Sequence, residues 1–83
     1  MLYMIRLHYS PERGDDLRRH FEQRGLTGHA PGVLLKGAWV SRERHAYALV
    51  EAHDEQAVDA VTESWSQFGE VVFETVVDIH AIM

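Results

Sequence analysis

Apolar residues alternate with polar ones in four stretches of the chain and recur at helical spacing in two others. Residues 2–9 (LYMIRLHY) place Tyr3, Ile5, Leu7 and Tyr9 on one side and Met4, Arg6 and His8 on the other, a strand that stops at Ser10-Pro11. Ser10 is suited to cap a helix with Pro11 at its first position, where the missing N–H costs nothing. Leu17 and Phe21, four apart, form that helix's apolar stripe, and Gly25 is a natural stop. Residues 26–32 (LTGHAPG) read as a loop and 33–40 (VLLKGAWV) as a second strand. The polar run 41–44 is a turn, and residues 45–52 (HAYALVEA) are a third strand. Asp54 then caps a second helix carrying Ala57, Val58, Val61, Trp65 and Phe68 on one face and ending at Gly69. Residues 70–80 (EVVFETVVDIH) are expected to form the last strand.

A shift of 44 residues superimposes Ser10 to Gly25 on Asp54 to Gly69, Leu17 on Val61 and Phe21 on Trp65. Cap, stripe and stop all correspond, as expected of two βαβ halves. The order predicts an α+β fold of the ferredoxin-like βαββαβ kind, one domain over residues 1–83. It has a four-stranded antiparallel sheet with both helices on one face. The odd positions Val71, Phe73, Thr75, Val77 and Ile79 of the last strand should lie beneath the helices with those of the first. The opposite face then carries Met4, Arg6 and His8 with Val72, Glu74, Val76, Asp78 and His80. The third strand is ambiguous. Close helix packing favours Ala46, Ala48, Val50 and Ala52 inward, whereas the 44-residue repeat would turn Tyr47 and Leu49 inward instead.

Composition adds an expectation about assembly. A chain of 83 residues buries only about two-thirds of its unfolded surface. It has no cysteine for disulfides or a thiolate metal site, so a homodimer is the ordinary way for its 46% hydrophobic residues to bury more area. The sequence has neither a signal-peptide pattern nor a membrane-spanning apolar run, so the expected location is cytoplasmic with no membrane contact. All eight Lys and Arg fall in residues 1–45 with five acids, a net +3, while residues 46–83 hold eight acids and no Lys or Arg, a net −8. Such halves are expected to pair across neighbouring elements within the domain or dimer. Nucleic acid is not an expected partner, because backbone phosphates demand a basic face.

The stretches Pro31-Gly32-Val33-Leu34-Leu35-Lys36-Gly37-Ala38-Trp39 and Ala48-Leu49-Val50-Glu51, leading through Asp54 into an Ala-containing helix, resemble short bacterial members of the dimeric α+β barrel superfamily. The resemblance spans nearly the whole chain, and its motifs are structural. It implies two protomers whose sheets face each other around a cavity. Relatives of that superfamily include cofactor-independent monooxygenases and isomerases, haem-degrading enzymes, polyketide cyclases and metal-binding proteins, so the resemblance selects no reaction.

Candidate chemistry therefore rests on the helix-free face. Arg6 lies mid-strand among apolar neighbours, and a guanidinium there needs an anionic partner, either Glu74 or Asp78 or a bound carboxylate or phenolate. Trp39, Tyr47 and Glu51 would wall such a ligand site with His8 and Glu74. Six histidines raise the question of metal, for which His8 with Glu74 is the best grouping. His20 and His53 read as surface residues, His80 as lying near a frayed end, and His29 as part of a loop that could cover a cavity mouth. No nucleophile stands in a recognisable setting and no cofactor is specified. Two functions are expected from different classes. One is a dimer binding a small molecule or metal ion between its sheets. The other is a cofactor-independent monooxygenase, isomerase or cyclase acting on a small aromatic or polyketide-like substrate, with His8 as acid–base group and Arg6 as electrostatic stabiliser. An acidic second helix (Asp54, Glu55, Asp59, Glu63) could instead meet a partner, though such faces are usually just solvated.

Overall fold

The alternating and helical stretches fold into elements close to those expected, in a computed structural model that describes residues 1–27 and 30–82. Strand β1 (Leu2–Tyr9) leads through a 3-10 turn (Pro11–Arg13) into α1 (Gly14–Arg24). Strands β2 (Val33–Val40) and β3 (His45–Ala52) follow, then α2 (Glu55–Trp65), a second 3-10 turn (Ser66–Phe68), β4 (Gly69–Val76) and a third 3-10 turn (Ile79–Ala81). The strands form one antiparallel sheet in the order β2-β3-β1-β4, the ferredoxin-like α+β arrangement. His29 lies outside the described residues.

Period-two alternation and the helical stripes meet in a single core. Tyr3, Ile5 and Leu7 of β1, Ala46, Ala48, Val50 and Ala52 of β3, Leu17 of α1 and Val58, Val61, Trp65 and Phe68 from α2 and its turn are all buried together. The ambiguity in β3 is thereby resolved in favour of the small residues. Ile5 pairs with Ala48 and Leu7 with Ala46, so odd positions of β1 share a face with even positions of β3. Alanines let the helices approach the sheet closely, and Tyr47 and Leu49 turn to the other side. The repeat survives in the helical spans, since residues 11–24 and 55–68 are helical throughout at the same 44-residue offset. The 3-10 turn comes first in one span and last in the other.

The two caps differ. Asp54 Oδ1 accepts from the Ala57 N–H at 3.1 Å, satisfying a donor that the first turn of α2 leaves free. Ser10 makes no side-chain cap bond, because it precedes the 3-10 turn rather than α1 itself. Asp54→Ala should therefore lower stability by about 1 kcal/mol. Ser10→Ala should cost a few tenths at most by that mechanism, and urea unfolding followed by circular dichroism compares the two.

β4 is shorter than its alternation suggests. It ends at Val76, paired with Leu2, the first residue of β1. A strand needs a ladder partner, and the backbone of Met1 is instead paired with Ala52 on β3. Val77 and Ile79, expected beneath the helices, are consequently exposed, as are Thr75, Asp78 and His80.

Charges also distribute differently from the expectation. Arg13, Arg18 and Arg19 pair with Asp15 and Asp16 inside the first helical span, three residues apart. Among the described residues, one Lys or Arg pair joins the basic and acidic halves, Lys36 with Glu51 at 3.7 Å. His20 is half-buried with its ring 5.1 Å from Phe68 rather than a free surface residue, and His53 is exposed. No helix among the described residues is long and apolar enough to cross a membrane.

Candidate functional site

The helix-free face of the sheet is a grid whose rows are set by strand register. One row runs Trp39, Tyr47, Arg6, Val72 across all four strands. The row on one side is His45, His8, Glu70, and on the other Gly37, Leu49, Met4, Glu74. The last row is Leu34, Glu51, Leu2, Val76. Alternation places these side chains on one side, because the residues between them on β1 and β3 point into the core and register carries that parity to β2 and β4.

Four of the expected site residues come together. Arg6 has Tyr47 on one flank and Val72 on the other, Trp39 stands next to Tyr47, and His8 lies in the adjacent row. The grouping of His8 with Glu74 does not form. Glu74 pairs with Met4 and His8 with Glu70, so the two share a face but stand four residues apart along the ladder, roughly 13 Å. Among the described residues no group of three or more His, Asp or Glu is placed to hold a metal ion. Glu51 sits at the far end of the face and is engaged by Lys36. Neither Glu74 nor Asp78 forms an ion pair with Arg6. Asp78 lies beyond β4, where it accepts from the His80 N–H at 2.8 Å and faces the His80 ring at 3.0 Å. Those contacts hold its carboxyl below the usual carboxylate range, the backbone bond being the larger cause.

Two features escaped the sequence reading. The His8 ring stacks on His45 at 4.5 Å with an interplanar angle of 18°, and His45 in turn lies 6.1 Å from Tyr47. Cross-strand register made this pair, and the available signal was that both histidines sit near strand ends. The second feature is Gly37. A bulge between Leu35 and Gly37 shifts the β2 register, and the Trp39 ring lies over the glycine so closely that a Cβ there would approach the indole to 2.7 Å. Gly37 thus lets the indole lie flat along the face. Because the obstacle is the end of a side chain and not backbone, Gly37→Ala should shift the Trp39 emission spectrum while costing about 1 kcal/mol or less.

The face is half apolar and open. Leu34 and Trp39 are each 58% exposed and Val72 43%. Arg6 and His8 are exposed in the single chain, and shallow hollows of about 320 Å³ and 110 Å³ adjoin Arg6. Their linings combine Arg6 with Glu74 in one and with His8, His45 and Glu70 in the other. Chemically this is a cation among aromatic and aliphatic walls, with carboxylates at the margin.

A family model described as a domain of unknown function (DUF3303) matches residues 1–83. No curated protein matches the chain. Among solved structures, the chain is similar to an uncharacterized NIPSNAP domain protein from Burkholderia xenovorans. The match has 16% identity, a TM-score of 0.55, and covers 95% of this chain and 97% of the other, a likeness of fold.

Proposed function

The chain belongs to the DUF3303 family, and we propose that it works as a homodimer whose two helix-free sheet faces oppose each other and hold a small aromatic anion beside Arg6. This is the dimeric α+β barrel arrangement that the sequence resembles. The observation that carries the reading is Arg6 itself, without an ion-pair partner among the described residues and set between Tyr47 and Val72 on a half-apolar face.

Two further quantities support pairing of copies. The chain exposes 5801 Å², whereas a monomer of 9.5 kDa is expected to expose about 5,000 Å². The excess approaches the roughly 800 Å² that each partner contributes to an ordinary stable interface. The face also carries unpaired charge of both signs, with Arg6 near its centre and Glu70 and Glu74 along the β4 edge. A two-fold interface brings each to the other's copy without a second kind of partner. Closure of the face would remove water from around the guanidinium, strengthening its attraction for a carboxylate or phenolate, and Trp39 and Tyr47 would stack against the ring. Binding is favoured over acid–base catalysis because the His8 ring is stacked on His45, and no ion pair among the described residues joins it to a carboxylate that would orient it.

Sedimentation velocity should give a dimer at micromolar concentration, and Val72→Arg should give a folded monomer. In thermal unfolding, benzoate and salicylate should stabilise the protein, by about 2.7 kcal/mol at a hundred times Kd. Arg6→Met, which keeps the apolar stem and removes the charge, should abolish that stabilisation. A protein that is monomeric throughout, or a ligand shift indifferent to Arg6→Met, would refute the proposal.

A further inference from the structure

On the helix side of the sheet, α1 does not cover β2. An open apolar groove of about 720 Å³ runs between them, with Leu17, Phe21 and Leu26 along one wall and Ala38, Val40 and Ala46 along the other. Arg18 and Glu22 stand at its rim. A second apolar feature lies at the opposite edge of the sheet. Residues 77–82 leave β4 as an arm whose Val77, Ile79 and Ile82 are 62%, 62% and 74% exposed, and whose interspersed polar residues are Asp78 and His80.

The arm does not reach this groove in its own chain. From Val76, Val40 lies three strand spacings across and five residues along the ladder, a diagonal of roughly 22 Å. Six residues span about that distance only when fully extended, and the arm contains a 3-10 turn. α2, packed against β4, also stands in the direct path. An apolar arm and an apolar groove that cannot meet within one chain can meet between two.

We infer that residues 77–82 of one copy dock in the α1–β2 groove of a second copy, and reciprocally, so that the dimer is clasped on its helix side as well as through its sheet faces. The inference rests on the pairing of two copies proposed above and is independent of any ligand at Arg6. Asp78 on the arm is opposite in charge to Arg18 at the rim, so docking would exchange their partners within one chain, His80 and Asp15, for each other. Val77, Ile79 and Ile82 would exchange water for the groove wall, and each isopropyl or sec-butyl side chain is a substantial apolar area to remove from solvent.

The cysteine-free chain makes the test direct. Ala38→Cys and Ile79→Cys proteins are mixed in equal amounts under mild oxidation, and the 38–79 disulfide is measured by peptide mapping. The junction should exceed, at least several-fold, that in the same mixture oxidised in urea. In the double variant it should link two chains, not close within one. A second variant, Ile79→Asp with Ile82→Asp, alters only exposed side chains and should weaken dimerisation ten-fold or more with unchanged circular dichroism. A dimer with no enriched 38–79 junction, or one unaffected by the Asp pair, overturns the arm while leaving sheet pairing intact. A protein that is monomeric at every concentration overturns both.

Discussion

Replacing Trp65 with alanine is expected to remove about 3–5 kcal/mol of stability, a large share of the roughly 4–12 kcal/mol that a domain of this length possesses. Trp65 is completely buried at the end of α2, its ring 5.3 Å from that of Phe21 on α1. It is the largest buried side chain and packs the two helices against each other as well as against the sheet. Its indole N–H also donates to the Leu26 carbonyl at 2.9 Å, tying the segment after α1 to α2 across 39 residues. Trp65→Phe separates these contributions, since it keeps much of the ring and leaves the Leu26 carbonyl without that donor. The expected cost is about 1–3 kcal/mol. Urea unfolding monitored at 222 nm, at one protein concentration so that assembly does not enter the comparison, distinguishes them. Equal losses for both variants would mean that the hydrogen bond, and not the packing, dominates.

Gly69→Ala should be nearly as damaging, at about 2–4 kcal/mol. Gly69 opens β4 opposite Tyr9, and a Cβ there would collide with the His8 carbonyl oxygen and lie 2.9 Å from the Tyr9 Cα. Both obstacles are backbone, so relief requires the β1–β4 ladder to separate at that end. The same substitution at Gly14 should do the opposite. Gly14 is helical, and its Cβ would meet only the Tyr9 ring at an ordinary 3.7 Å, so Gly14→Ala should stabilise by about 0.5–1 kcal/mol. Thermal melts of the two variants should therefore move in opposite directions, and a shift of Gly69→Ala no larger than a degree or two would show that the strand crossing is softer than its spacing implies.

The candidate site was legible in the sequence residue by residue but not as an arrangement. Arg6 stood out because a guanidinium within an alternating apolar strand must face a side that is not core. Tyr47 and Trp39 required the faces of two further strands, and the sequence of β3 offers apolar groups on both. His8 was identified, yet its neighbours were not, because partners across a ladder depend on register. A sum of residue numbers that is constant along each antiparallel pair brings His8 to His45 and Glu70 and keeps it from Glu74.

By itself the sequence determined the elements, the buried side of β1, the stripe of α2 and the two stops at Gly25 and Gly69. Periodicity, capping and chain reversal are local, and each is written in a few neighbouring residues. Tertiary structure decided three things. It set the face of β3, since alanines pass closely beneath helices and Tyr47 would not. It ended β4 at Val76, because alternation continues to Ile79 but the partner strand does not. And it left uncovered both the sheet face around Arg6 and the groove beside β2, since what two helices can cover depends on where they cross the sheet and not on how apolar the strands beneath them are.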